Sequence, residues 1–137
     1  MASAIYPKAK QSFLSQSPSI DMDTDTIKVA LINVATDYTY SSSHQYMSSV
    51  TTYSGTTDQT LGSVSVTSGV FDAADATFTS VAISGSKTVA ALVIYKDTGS
   101  AATSPVIAYI DGFTAVTPNG GNITVTWDNG SAKIFAL

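Results

Sequence analysis

The sequence predicts an all-β fold, specifically a single β-sandwich of jelly-roll or immunoglobulin type with a short N-terminal helix or arm. Composition supports this, because the 137 residues include 20 Ser and 19 Thr but no Glu, Arg or Cys. Strong helix formers are therefore scarce and β-branched residues are common. Seven or eight short apolar or alternating stretches recur at the spacing typical of sandwiches. An apolar content of 44% argues against disorder.

The first 20 residues differ in composition from the rest of the chain. Residues 6–14 are expected to form a short helix with Pro7 in its first turn, where proline is tolerated. The serine-rich stretch 15–19, which contains Pro18, is expected to end this helix. We therefore divide the chain into an N-terminal arm or docking helix over residues 1–20, expected to contact another subunit, and a sandwich domain over residues 21–137.

Apolar and alternating stretches predict the strands in order. Residues 88–96 are apolar on both faces, which is typical of a central strand. The serine-rich stretch 41–47 is expected to form one or two helical turns capped by serine. The other predicted strands span residues 27–34, 60–67, 69–71, 76–81 and 106–111.

The C-terminal residues 123–137 predict a β-hairpin. Asn129 and Gly130 separate two alternating runs, and this dipeptide suits a two-residue turn in which both positions have positive φ. The resulting register places Trp127 opposite Ala132, Val125 opposite Ile134, and Ile123 opposite Ala136, all on one apolar face. Phe135 and Leu137 then lie on the other face, where we expect a neighbouring subunit to cover them.

Charge and length exclude several classes of protein. A net charge of −4 and a pI near 4.4 argue against nucleic acid or an anionic membrane as partner. The longest apolar run, residues 89–95, is far shorter than the ~20 residues that span a bilayer. The N-terminus has no apolar core of signal-peptide length, so synthesis and folding in a cytoplasm are expected.

Catalysis is not expected, and no catalytic residue is assigned. His44 is the only imidazole, and it lies in a serine-rich turn after Ser43. A Ser-His-Asp site would also need a positioned acid and oxyanion donors, which no motif marks. We interpret His44 as a surface or interface residue.

No metal or cofactor is expected either. Asp21, Asp23 and Asp25 resemble the start of a calcium loop, but the sixth position is Thr26 and the twelfth is Ile32. We favour the interpretation that these aspartates accept hydrogen bonds from the backbone of local turns. An irregular cation site is the alternative. The loop at residues 118–122 lacks the spacing of a nucleotide-binding motif, and no helix is predicted to follow it.

Tyrosines concentrate in residues 38–53, in a segment otherwise rich in Ser and Thr. This composition is typical of contact loops, so a protein interface is favoured over a purely structural role and over sugar binding. Trp127 is expected in the core. The candidate interface residues are Ile5, Tyr6, Phe13, Leu14, Tyr38, Tyr40, Tyr46, Tyr53, Phe135 and Leu137.

Several stretches resemble a family of small virion proteins of tailed bacteriophages. The similarity lies in residues 4–10, 21–31, 91–99 and 105–111, and it is closest in residues 118–130. It does not extend to residues from about 48 to 68. These are structural segments rather than catalytic motifs. The resemblance implies a virion structural protein without indicating which part of the virion it occupies.

Size and charge favour a capsid decoration (cement) protein on the head exterior. A compact acidic domain fits this role, because it can bind symmetry-related sites through a large buried contact area. The expected partners are the major capsid protein or other virion proteins. A homo-oligomer, preferably a trimer, is expected. The alternatives are a phage tail, neck or head-fibre component and a carbohydrate-binding adhesion module of the virion.

Overall fold

A computed structural model describes residues 3–137, which form ten short strands, one α-helix and two single-turn 3₁₀ helices at Met47–Ser49 and Ala101–Thr103. The chain is therefore all-β apart from one short helix, as predicted. In chain order the elements are β1 (Ala4–Ile5), α1 (Pro7–Ser15), β2 (Ile27–Ile32), β3 (Gln59–Thr60), β4 (Ser65–Thr67), β5 (Val70–Asp72), β6 (Ala76–Phe78), β7 (Ala91–Lys96), β8 (Val106–Ile110), β9 (Ile123–Val125) and β10 (Phe135–Ala136).

The largest sheet has five antiparallel strands in the order β1-β8-β7-β2-β3. Its central strand β7 is buried from Ala91 to Tyr95, which explains the continuous apolar run in its sequence. Strand β2 pairs with it along its whole length, from Ile27 opposite Lys96 to Ile32 opposite Ala91. The prediction of a central strand here is confirmed.

Two smaller sheets complete the strand pairing, one with the order β10-β5-β4 and one formed by β6 and β9. Their buried side chains, among them Phe71 and Phe78, belong to the same hydrophobic cluster as Ile94 of the central strand. The strands predicted at 27–34, 69–71, 76–81 and 106–111 are all present with ends shifted by a few residues. The single strand predicted at 60–67 is instead two, β3 and β4, in different sheets.

The predicted C-terminal hairpin is wrong. Strand β9 pairs with β6, placing Val125 opposite Ala76, whereas β10 pairs with β5, placing Phe135 opposite Phe71. The turn is also different, because Gly130 does not have positive φ and its backbone N–H donates to the Asp128 carboxylate at 3.1 Å. Each half of the expected hairpin thus finds a partner far away in the chain.

The helical turns predicted at residues 41–47 are also absent. The 3₁₀ turn begins only at Met47, and Tyr46 before it is extended and makes no side-chain cap. Backbone hydrogen bonds explain the difference: the N–H of Met47 donates to the Ser104 carbonyl, and the N–H of Val106 donates to Gln45. These bonds hold residues 45 and 46 beside the start of β8, whereas Ser41 to His44 form a single turn in which the N–H of His44 donates to the Ser41 carbonyl at 3.1 Å.

The N-terminal helix is confirmed, with Pro7 at its start and a left-handed Gln16 at its end. The segment is nevertheless not a separate arm. Strand β1 pairs with β8, and Tyr6, Ala9 and Ile20 are buried in the main core. Residues 3–20 are therefore part of the domain, and residues 1 and 2 of the predicted arm lie outside the described residues.

The C-terminal turn can be tested with two glycine substitutions. Gly120 has φ of +86°, so Gly120→Ala should destabilise the fold by about 1–2 kcal/mol. Gly130→Ala should cost less than ~0.5 kcal/mol, because an added Cβ meets only the movable Asp128 carboxylate at 2.9 Å. Urea denaturation of both variants measures the difference. If Gly130→Ala is the more damaging change, a turn with positive φ exists there after all.

Candidate functional site

Four tyrosines from distant parts of the chain form an aromatic cluster beside β8. The ring of Tyr40 lies 5.0 Å from that of Tyr6 and 5.3 Å from that of Tyr109, measured between centroids. Tyr38 packs 6.3 Å from Tyr109. Tyr6 follows β1, Tyr109 lies on β8, and the other two come from the loop after β2. The cluster therefore joins the N-terminal segment to the five-stranded sheet.

A chain of hydrogen bonds runs through this cluster to His44. The hydroxyls of Tyr6 and Tyr38 are 2.8 Å apart, and the Tyr38 hydroxyl lies 2.7 Å from Nδ1 of His44. Burial, and then the hydrogen bond to Tyr38, raise the pKa of Tyr6, which is fully buried. Either hydroxyl can be the donor between Tyr6 and Tyr38, and the roles at Nδ1 depend on the tautomer of His44.

This arrangement gives His44 an anchoring position in the structure. Among residues 3–137 its ring bonds to Tyr38 and not to a serine, while the neighbouring hydroxyls of Ser41 and Ser43 bond to each other at 2.8 Å. A serine nucleophile would need its hydroxyl within hydrogen-bond reach of the imidazole. The observed contacts instead tie the serine-rich turn to the aromatic cluster.

Three of the candidate interface tyrosines are buried within the chain, so the prediction that they form an exposed contact surface is wrong. Tyr6 and Tyr38 belong to the aromatic cluster, and Tyr53 is fully buried with its hydroxyl donating to the Ala82 carbonyl at 2.6 Å. Tyr40 and Tyr46 are half-buried. The tyrosine-rich segment thus supplies internal anchors, and the structure does not bring its four tyrosines together.

The apolar candidates near the chain ends fall into two groups. Ile5 and Phe13 are half-buried against the core, and Phe135 stacks at 5.3 Å on Phe71, its own partner in the sheet. Phe135 is thus covered partly within its own chain rather than by a neighbour alone. Leu14 and Leu137 differ, because 90% and 66% of their surfaces are exposed.

An open apolar groove of about 800 Å³ lies between the five-stranded sheet and β9. Phe113 and Val116 at its edge are each 38% exposed, and Trp127 is buried in its wall. The sequence predicted the burial of Trp127 but not this groove. Its apolar lining includes Val89, Leu92, Ile110, Phe113, Val116 and Trp127.

A smaller polar pocket of about 230 Å³ contains the pair formed by Asp58 and Tyr95. The Tyr95 hydroxyl donates to Oδ2 of Asp58 at 2.6 Å. Burial raises the pKa of Asp58, against the lowering effects of this hydrogen bond and of Lys28. In contrast, the hydrogen bond from Lys28 lowers the pKa of Asp97 in the same pocket. This pair was not predicted from the sequence, because the two residues are 37 positions apart.

The remaining aspartates behave largely as turn residues, as predicted. Oδ1 of Asp21 accepts the backbone N–H of Asp23 at 3.0 Å, and this hydrogen bond is the main cause of a lowered pKa of Asp21. Asp25 accepts the N–H of Asp21 and forms an ion pair with Lys96 at 3.0 Å. Within residues 3–137, acidic and histidine side chains do not gather into a group of three suited to a metal ion.

The hydrogen-bond chain of the aromatic cluster predicts a stability difference between two tyrosine variants. Tyr38→Phe leaves the buried Tyr6 hydroxyl without its partner and should destabilise the protein by about 1–3 kcal/mol. Tyr40→Phe is the matched control, because among the described residues no side chain or backbone group bonds to its hydroxyl. Its effect should stay within about 0.5 kcal/mol in urea denaturation. Equal losses in both variants would contradict the assigned chain.

The Asp58 pocket predicts a pH-dependent effect of substitution. Because the pKa of Asp58 is raised in the folded state, its contribution to stability is present below the unfolded pKa and is lost as pH rises through the folded pKa. Asp58→Asn, whose amide oxygen still accepts from Tyr95, should therefore gain stability relative to wild type between about pH 3 and pH 7. Urea midpoints across this range measure the change.

Asp97→Asn is the control, and its effect on stability should have the opposite sign. Its pKa is lowered, so its contribution is present above the unfolded pKa and is lost as pH falls through the folded pKa. This variant should lose stability relative to wild type as pH rises over the same range. If the stability of both variants relative to wild type changed in the same direction with pH, Asp58 would not be buried as described.

No protein-family model matches the chain, and no curated protein matches it by sequence. Among residues 3–137, no helix combines the length and the apolar content needed to cross a bilayer. Function is therefore inferred from the sequence and from the surfaces described above.

Proposed function

We propose that this chain is a structural protein of a tailed-bacteriophage virion, and specifically a decoration protein on the capsid exterior. In this role it stabilises the head by protein–protein contacts with the major capsid protein or other virion proteins. We also propose that it acts as a homo-oligomer, preferably a trimer, synthesised in the host cytoplasm.

The apolar groove is the observation that carries this proposal. An uncovered concave surface with Phe113 and Val116 each 38% exposed is suited to a protein partner, because contact there removes apolar surface from water. The groove has few ionisable side chains at its rim, namely Asp111, Asp128 and Lys133. A decoration protein must bind through a buried contact area rather than through a catalytic or ligand-binding site.

The fold and the sequence add further support. One hydrophobic cluster includes side chains from the five-stranded sheet and from both small sheets, which supports a single sandwich in which the small sheets form the second layer. The resemblance of residues 118–130 to tailed-phage virion proteins covers β9 and the wall of the groove. Fold, groove and resemblance together support the proposal.

The two alternatives differ in how well they fit the structure. A tail, neck or head-fibre component would use the same kind of surface, so only its place in the particle distinguishes it. A carbohydrate-binding module needs an exposed aromatic platform, whereas Trp127 and Tyr38 are buried. Sugar binding therefore has less support than protein binding.

An image reconstruction of intact particles of the phage that encodes this chain tests the proposal. We expect density for the chain on the outer surface of the head, at symmetry-related positions. Gold-labelled antibody against the chain should mark the same surface. Density on the tail or neck would favour that alternative, and absence of the chain from purified particles would contradict a virion role altogether. Binding on a glycan array would support the adhesion module.

A further inference from the structure

Two Asn-Gly dipeptides lie in exposed loops of the chain, and the structure holds them differently. Asn119 precedes Gly120 in the loop before β9, and Asn129 precedes Gly130 in the loop after it. All four residues are exposed to water. Glycine has no Cβ, so the backbone nitrogen that follows each asparagine is sterically open to the side-chain amide. The two sites thus share their dipeptide sequence and their exposure, and differ in their hydrogen bonds.

Hydrogen bonds to the core fix the first dipeptide. The N–H of Gly120 donates to the carbonyl of Val81 at 2.9 Å, and the N–H of Val81 donates to the carbonyl of Gly121 at 2.9 Å. Val81 is fully buried, so these bonds tie the loop to the core. Oδ1 of Asn119 also accepts the N–H of Gly121 at 2.9 Å. The side chain of Asn119 and the nitrogen of Gly120 are therefore both engaged.

The second dipeptide is held by fewer bonds. Within the part of the chain that the structure describes, no group forms a hydrogen bond with the side-chain amide of Asn129. The N–H of Gly130 donates at 3.1 Å to Oδ1 of Asp128, an exposed side chain that can turn away at little cost. Only this exposed bond must open before the nitrogen of Gly130 can approach Cγ of Asn129. At Asn119 two bonds must open, one of them to a buried residue.

We propose that Asn129 is a site of spontaneous deamidation and backbone isomerisation, and that hydrogen bonds protect Asn119 from the same reaction. The backbone nitrogen of Gly130 loses its proton to a base in the solvent and attacks Cγ of Asn129, which forms an N–Cγ bond. The Cγ–Nδ2 bond breaks, and ammonia leaves with a proton taken from water. The product is a cyclic imide. This inference does not depend on the proposed function.

Water then opens the imide at either of its two carbonyls. Cleavage of the new N–Cγ bond gives aspartate, whereas cleavage of the original peptide bond gives isoaspartate, whose main chain runs through Cγ. Water is consumed, ammonia is released, and nothing is oxidised or reduced. Either product adds one negative charge to a net charge of −4. The new carboxylate lies next to Asp128, which lines the apolar groove, and isoaspartate also lengthens the backbone between β9 and β10.

Peptide mapping of the aged full-length protein tests the proposal. Folded protein is incubated in warm, mildly alkaline buffer, sampled over time, and then unfolded and briefly cleaved with chymotrypsin. Cleavage after aromatic side chains, here Phe113 and Trp127, separates Asn119 from Asn129. We expect the mass increase from asparagine to aspartate to accumulate at least about 10-fold faster at Asn129, because more hydrogen bonds must open at Asn119.

The same incubation in concentrated urea is the control for the role of the fold. Unfolding removes the hydrogen bonds of both loops, so the two rates should become similar. In the folded protein, Gly130→Ala should slow conversion at Asn129, because the added Cβ crowds the attacking nitrogen. A preference for Asn129 that persists unchanged in urea would show that the neighbouring sequence decides, and would overturn the protection of Asn119 by the structure.

Detection of isoaspartate in the Asn129 peptide, by labelling with an isoaspartyl methyltransferase, checks the chemical route. The cyclic imide yields isoaspartate together with aspartate, whereas direct hydrolysis of the side-chain amide yields aspartate alone. Aspartate without isoaspartate would therefore overturn the attack by Gly130. Equal rates at Asn119 and Asn129 in the folded protein, or no conversion at either position, would overturn the proposal as a whole.

Discussion

Strand β7 is buried on both of its faces, and the rest of the structure depends on how its backbone groups are paired. Five consecutive buried residues, Ala91 to Tyr95, leave no water for their N–H and C=O groups, so both neighbouring strands are obligatory. Strand β2 provides one set of partners and β8 the other. Strand β8 in turn pairs with β1 and carries Tyr109, so the N-terminal segment and the aromatic cluster both depend on it.

The elements that could be predicted are those whose signal is local. The apolar run of β7 and the position of Pro7 at the start of α1 are properties of the segments themselves. The C-terminal hairpin failed although its Asn129-Gly130 signal is also local. Strand pairing is decided by the whole chain: β9 finds β6, and β10 finds β5. Short strands of three and two residues have little pairing energy of their own, so tertiary packing overrides the turn preference.

In the candidate site, too, only the local interactions could be predicted from the sequence. Composition identified residues 38–53 as rich in tyrosine, but it does not tell whether a tyrosine faces inward or outward. Tyr6 and Tyr109, which complete the cluster, are about a hundred positions apart, and nothing in either segment marks the other. The Asp58–Tyr95 pair was missed for the same reason. In contrast, the backbone-bonding role of Asp21 involves only its immediate neighbours and was predictable.

In the proposed decoration role, the distribution of charge limits how copies of this protein are held together. With a net charge of −4 and no arginine, neighbouring molecules repel one another over about 8 Å at physiological salt. The ion pairs within the chain, such as Lys87 with Asp37, use three of its six lysines. Attraction between chains must then come mainly from apolar area and from the few cations that remain. The apolar groove supplies such area, and its lining includes Lys133, which forms no ion pair with the residues that the structure describes.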